Sequence, residues 1–214
     1  PVGEPKVHRS AFLQTTGEAK YVSDISFHGL HAAFVLSERA KAKFEITSVP
    51  SNCAFFSAND LKEEHNKIGP VIKDEQLFRK GTVTSLGQPI GMVVADSHEE
   101  AVKAAASVKV VYDEVETPIL SIAEAIAHDA FHPVVHRLDD GDVEQAFAAD
   151  GSVKIVEGEV SVGAQEHFYL ETNCVLVVPG EEDELTVYAS TQNPNKTQNF
   201  AAHVCGIQAS AVVC

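Results

Sequence analysis

Residues 190–198 read Ser190-Thr-Gln-Asn-Pro-Asn-Lys-Thr-Gln198 and mark a passage from strand to helix, with one amide side chain, Gln192, at the turn. Upstream, Glu184 to Ala189 sets Leu185, Val187 and Ala189 against Thr186 and Tyr188, which is the period of a strand. Downstream, Asn193 can cap a helix that Pro194 opens from its first position and Gly206 closes. Gln192 thus stands just ahead of a helix N-terminus, where unpaired backbone donors and the helix dipole favour a negatively charged or oxo ligand. Taken alone, a glutamine at such a turn is more often solvated or capping than ligand-binding.

Outward from this stretch, the second half continues as strands at Val153 to Val162 and Cys174 to Val178, separated by Gly and Pro. The first half carries short β-rich runs at Leu30 to Leu36, Ala54 to Ser57, Ile90 to Ala95 and Val108 to Tyr112. Among them lies one clear helix: Ser97-His-Glu-Glu100 has the form of a capping box, and Ala101 to Ala106 is strongly helix-forming. A second capping box, Ser121 to Glu124, starts a short helix. Ala127 to Asp142 is rich in His, Asp, Pro and Gly and reads as a linker. After it, Asp142 with Gln145 caps a turn whose Val143, Ala146 and Phe147 suit one buried face. Strands and helices mixed without regular βαβ alternation predict an α+β fold.

At 214 residues, the chain can bury roughly 70% of its unfolded surface, in one large domain or two small ones. Its 16 basic residues against 31 acidic ones give a formal charge of -15, which disfavours nucleic acid and anionic membrane as partners. No apolar run approaches the roughly 20 residues of a membrane-spanning helix, and the N-terminus lacks a signal-peptide pattern. Cys53, Cys174, Cys205 and Cys214 are scattered without a Cys-x-x-Cys pair. That argues for a reducing, cytosol-like compartment and against zinc or iron-sulfur ligation in this segment. Cys205 reads as a small core residue.

Two clusters invite a mechanistic reading and have plainer ones. His128, His132 and His136 are spaced four apart, as metal ligands on one helical face would be. Pro133 breaks that helix, which makes the triplet an exposed linker feature. Glu166, His167 and Glu171 suggest paired carboxylates and a base, but on a strand Glu166 and His167 would face opposite ways. Lys196, Thr197 and Gln198 read as solvated, or as contacts to a neighbouring domain.

Four stretches, in order along nearly the whole chain, resemble one family. They are Gly17-Glu-Ala-x-Tyr21 with Asp24-Ile25; Val83-x-x-x-Gly87-Gln-Pro-Ile-Gly91 with Val93-Val-Ala-Asp96 and then Ala101 to Tyr112; Gln165-Glu-His-Phe-Tyr-Leu-Glu-Thr172; and the Ser190 to Gln198 run. The first two resemble the α/β hammerhead domain, and the last two the start of the molybdopterin-binding region, of the xanthine dehydrogenase family of molybdenum hydroxylases. The resemblance implies a hammerhead domain at residues 1–126, a linker at 127–141 and the first part of a molybdopterin-binding domain at 142–214. It implies hydroxylation of a purine such as hypoxanthine or xanthine, toward uric acid, with water-derived oxygen. Electrons would pass from the molybdopterin-bound molybdenum through 2Fe-2S clusters to FAD and NAD, carried by other domains.

The glutamine matching Gln192 lies beside the molybdenum in that family and hydrogen-bonds to its oxygen ligand. This makes Gln192 both the cofactor-binding and the metal-proximal residue, and no catalytic residue is assigned. A neutral amide can donate to an oxo group without adding charge.

The sequence also departs from the family pattern. It begins at Pro1 and ends at Val213-Cys214 within an apolar, strand-like run, ahead of the glycine-rich cofactor loop and the acidic general base of relatives. Between Ile46 and Phe56 it is short, and Ala164 stands where a glycine is usual. A chain ending there is expected to bind no molybdenum, iron or flavin and to be inactive alone. Val175 to Val178, Phe200, Val204 and Val212 to Val213 are expected to form an exposed apolar surface. The region from Gly163 onward would then be mobile or paired with a second copy, and Gly17 to Glu124 compact. The partners implied are a purine substrate, the remaining domains of the same chain and a second subunit in a homodimer. The compartment implied is cytoplasmic, with a peroxisomal one as the alternative. Aldehyde oxidase and a non-catalytic module with the hammerhead fold are the rival readings.

Overall fold

A computed structural model describes residues 2–149, 151 and 154–214. Contacts group them into two units: the chain up to Pro118 together with Leu170–Cys214, and Ile119–Tyr169.

In the larger unit, a short helix α1 (Ala11–Thr16) precedes strands β1 (His31–Leu36), β2 (Ala42–Ser48) and β3 (Ala54–Phe56). A small hairpin of β4 (Lys67–Ile68) and β5 (Glu75–Gln76) follows, then β6 (Thr82–Val83) and β7 (Pro89–Ala95). Strand β7 is central to an antiparallel sheet of order β1-β7-β3. Its position between two partners explains its apolar run: Ile90 and Val93 are fully buried. Gly91 is required there because a Cβ would lie 2.4 Å from Cζ of Phe55 on β3.

A second antiparallel sheet has the order β6-β2-β8, with β8 at Lys109–Asp113. Strand β2 lay outside the strands expected from sequence, although Ala42, Phe44 and Ile46 alternate inward against Lys43 and Glu45. Helix α2 (His98–Ser107) packs on β1 and β7 through Ala101 and Ala104, whose small side chains allow close approach. Ser97 accepts from Glu100 N at 3.2 Å, but the Glu100 carboxylate accepts from the Ser97 hydroxyl at 2.9 Å rather than from its amide. Val35, Ala42, Val83, Ile90, Val93 and Val108 form the shared core.

The C-terminal part of this unit has its own core. Strands β9 (Val175–Pro179), β10 (Leu185–Ala189) and β11 (Val212–Val213) lie in the order β11-β10-β9. Strands β10 and β9 pair antiparallel, while β10 and β11 pair parallel. Parallel pairing needs a crossover, and helix α5 (Pro194–Cys205) supplies it. Val187, Ala202 and Val212 bury one another at this crossover. Val212 is therefore interior, not part of an exposed surface, and Phe200 and Val204 are half-buried. Val175, Val177 and Val178 are exposed as expected. Cys205, the last residue of α5, is exposed and not the core residue expected from the sequence.

The smaller unit contains α3 (Ile122–Ala127) and α4 (Val143–Ala148), and none of its described residues is buried. The capping box of α3 is complete: Ser121 N donates to Glu124 at 3.1 Å, and Glu124 N to the Ser121 hydroxyl at 3.2 Å. On α4, Val143 and Phe147 are 62% and 58% exposed, so the expected buried face has no partner within this unit. Residues 154–162 form no strand: they are exposed, and no neighbour offers ladder hydrogen bonds. Val153, the expected start of that strand, lies outside the described residues.

Candidate functional site

Four residues, Ser190 to Asn193, connect β10 to α5, and most of their polar groups are engaged locally. The Ser190 hydroxyl accepts from Cys174 N at 2.7 Å, which ties the start of the turn to the chain entering β9. The Thr191 hydroxyl accepts from Asn193 N at 3.0 Å. Asn193 caps the helix by accepting from Lys196 N at 3.0 Å. The Thr197 hydroxyl donates to Asn193 O at 3.2 Å. Gln198 donates through Nε2 to Val212 O at 2.6 Å and to Ala209 O at 3.1 Å, so it fixes the approach to β11 instead of facing solvent.

Gln192 is the exception. It is exposed, and its side chain makes no hydrogen bond to the described residues. The helix terminus beside it has few donors to spare: Pro194 has none, Lys196 N is capped, and Thr197 N bonds Asn193 O at 3.1 Å. The Gln192 amide is an unengaged donor that this turn can present to a ligand, beside the exposed Lys196 ammonium one turn on. Lys196 is the single charged residue of residues 190–198, so the turn adds little charge of its own.

The other sequence candidates do not converge on a reacting atom. Residues 161–169 have no regular structure, and Phe168 has a φ of 49°, so the expected strand is absent there. The His167 ring stacks on Tyr169 with centroids 5.4 Å apart, and Glu166 is exposed. Glu171 accepts from Val22 N at 3.4 Å. Helix α3 stops at Ala127, short of the face that would align His128, His132 and His136. Among the described residues no three His, Cys, Asp or Glu side chains gather as a metal site.

Residues 16–116 match the a/b hammerhead domain of aldehyde oxidase and xanthine dehydrogenase, and residues 127–214 match the molybdopterin cofactor-binding domain. The chain belongs to the aldehyde oxidase and xanthine dehydrogenase family. The hammerhead match takes in β1 to β8 with α2, and the cofactor-binding match takes in β9 to β11, α5 and Gln192.

Xanthine dehydrogenase of Dictyostelium discoideum is 45% identical over 220 residues, covering 100% of this chain and 16% of that protein. Xanthine dehydrogenase 1 of Arabidopsis thaliana is 46% identical over 224 residues, again covering 100% of this chain and 16% of that protein. The chain thus spans about a sixth of the length of these curated relatives. Quinoline 2-oxidoreductase from Pseudomonas putida 86 has the same fold, with a TM-score of 0.79 at 22% identity over 98% of this chain and 29% of that one. Aldehyde oxidoreductase from Desulfovibrio gigas superposes with a TM-score of 0.74 at 22% identity, over 95% of this chain and 25% of that one.

The turn fits the cofactor of this family on its own chemistry. A neutral amide without an internal partner can donate to a metal's oxygen ligand, or accept from a pterin N–H, without disturbing the charge of the centre.

Proposed function

We propose that the chain supplies the hammerhead domain and the opening of the cofactor domain to a xanthine dehydrogenase-like molybdenum hydroxylase. The observation that carries this is Gln192: the hydroxyls of Ser190, Thr191 and Thr197 and the side-chain oxygen of Asn193 are bonded within the chain, and the Gln192 amide is left to face a ligand. Relatives named xanthine dehydrogenase, 40–46% identical over the whole chain, support a purine substrate over an aldehyde.

The proposed reaction hydroxylates hypoxanthine and xanthine toward uric acid and passes electrons through 2Fe-2S clusters and FAD to NAD. When bound, the molybdenum cofactor supplies the two-electron centre for it. The part of this chain is positional. The bonds of Ser190, Thr191 and Asn193 hold the backbone on both sides of Gln192, so that its amide meets an oxygen ligand already oriented. The hammerhead at residues 1–126, the linker at 127–141 and the cofactor-domain segment at 142–214 belong to this proposal. So do homodimeric assembly and a cytoplasmic location.

The test is to express the enzyme that contains this chain and supply xanthine, hypoxanthine or an aromatic aldehyde with NAD. Urate formation with matching NADH production is expected. Oxidation of the aldehyde but neither purine would replace this proposal with an aldehyde oxidase.

A further inference from the structure

At the opposite end of α5 from Gln192, His203 stands in the last helical turn, ahead of the Gly206 that closes the helix with a φ of 71°. Its ring is held on two sides by the β4–β5 hairpin and its loop. Lys73 Nζ lies 3.2 Å from Nδ1, and the Lys67 carbonyl lies 3.0 Å from Nε2. These partners decide the tautomer. An ammonium group only donates, so Nδ1 is a bare acceptor; a carbonyl only accepts, so Nε2 carries the hydrogen. Making both contacts at once takes one bare ring nitrogen and one N–H. The His65 ring packs edge-on against it at 5.7 Å, and it fits because residue 206 is glycine: a Cβ there would lie 2.7 Å from His65 Cε1.

We propose that His203 is a positioning residue, whose neutral imidazole clasps α5 to the hairpin of the hammerhead and releases it on protonation. A proton on Nδ1 would point at the Lys73 ammonium, which removes the hydrogen bond and sets two cations in contact. The hairpin side offers the ring the Lys73 ammonium, which opposes a further positive charge, and the edge of the His65 ring. The Lys67 ammonium is turned away to Glu63 at 2.8 Å. Asp74 and Glu75 follow Lys73 but make no bond to the ring. The carbonyl end of α5 favours a cation, yet it offers no acceptor that could replace the clasp at Nδ1. The axis of α5 sets where the turn that leads into it carries Gln192. The consequence for turnover rests on the proposed role of Gln192, whereas the clasp itself does not.

His203→Gln provides the control. Its amide oxygen can accept from Lys73 and its nitrogen can donate to the Lys67 carbonyl, but it cannot be protonated in the same range. Imidazole nitrogen NMR of the 214-residue chain at about pH 7.5 is expected to show His203 with its hydrogen on Nε2. Lys73→Met leaves the Lys67 carbonyl to hold the hydrogen on Nε2 but should remove the contact at Nδ1 and with it the extra exchange response to acid, whereas Lys73→Arg should keep both. Lowering the pH to about 5.5 should speed α5 amide exchange about tenfold beyond the intrinsic pH effect in wild type, but not in His203→Gln.

A hydrogen on Nδ1, or an equal exchange response in wild type and His203→Gln, would overturn the proposal. In the whole enzyme, the acid-side loss of turnover should be smaller in His203→Gln than in wild type. If the exchange results hold while Gln192→Ala turns over like wild type, the clasp stands and the function assigned to Gln192 fails.

Discussion

The Thr191 hydroxyl accepts the amide hydrogen of Asn193 at 3.0 Å, so the two residues flanking Gln192 are bonded to each other across it. Thr197 reinforces this from one helical turn on, with its hydroxyl 3.4 Å from that of Thr191 and 3.2 Å from Asn193 O. An exposed glutamine is ordinarily free to sample many orientations, and this bridge removes the backbone part of that freedom.

Thr191→Val keeps the shape and removes the acceptor. A loss of about 1 kcal/mol in stability is expected, the usual size of one hydrogen bond, together with faster amide exchange at Gln192 and Asn193. Equal exchange in the variant and wild type would mean that the turn holds itself without the hydroxyl.

Gly91 is fixed by contact rather than by a positive φ. In Gly91→Ala the methyl meets Phe55, whose Cζ would lie 2.4 Å away, and the Phe56 carbonyl at 3.0 Å. A destabilisation of about 1–3 kcal/mol is expected from overpacking, read as a lower midpoint in thermal unfolding. The added change Phe55→Leu should recover part of it. An unchanged midpoint in Gly91→Ala would show that β3 can move away freely.

Much of this architecture was legible in the sequence, for reasons that can be read at single residues. Asn193, Pro194 and Gly206 bound α5 because each satisfies a helix end by its own local chemistry, and Ser121 with Glu124 does the same for α3. Strand β10 was visible because its alternation is local. What the sequence concealed depends on distant partners. Strand β2 draws its register from β8 and β6, and Val212 is buried only because α5 returns the chain beside β10. At residues 154–162, alternation without a neighbouring strand produced no strand. Gln192 stood out through resemblance, and the structure adds the local reason: its neighbours are bonded and it is not. The His203 clasp had no sequence signal beyond a basic residue in the last turn of a helix.

The α3 cap predicts a pH response. Backbone donation from Leu120 N at 3.0 Å, then the Ser121 side chain and its amide, hold the Glu124 carboxyl below the ordinary glutamate value. A group lowered in the folded state stabilises fully above its unfolded value, about 4.3, and the benefit is lost as pH falls through the lower folded value. The α3 amides should therefore lose protection only below about pH 4.3. Carbon NMR titration of Glu124 should give a midpoint below that value, and Ser121→Ala should raise it. A midpoint at or above the ordinary value would contradict the capping role.

The second core makes a separate claim on stability. Val212 is 1% exposed and closes the crossover of α5 onto β10. Val212→Ala should cost roughly 2 kcal/mol and should lower exchange protection first in β10 and α5, leaving β7 protected. Uniform loss throughout β7 as well would mean that the two cores unfold as one.

Gln192→Ala in the enzyme that contains this chain tests the central claim most directly. Molybdenum content, measured by mass spectrometry, should stay at the wild-type level, because the turn is held by Ser190, Thr191 and Asn193. Xanthine turnover should fall by the equivalent of about 2–4 kcal/mol, the cost of losing one preorganised donor. Wild-type turnover at full molybdenum occupancy would remove Gln192 from the site.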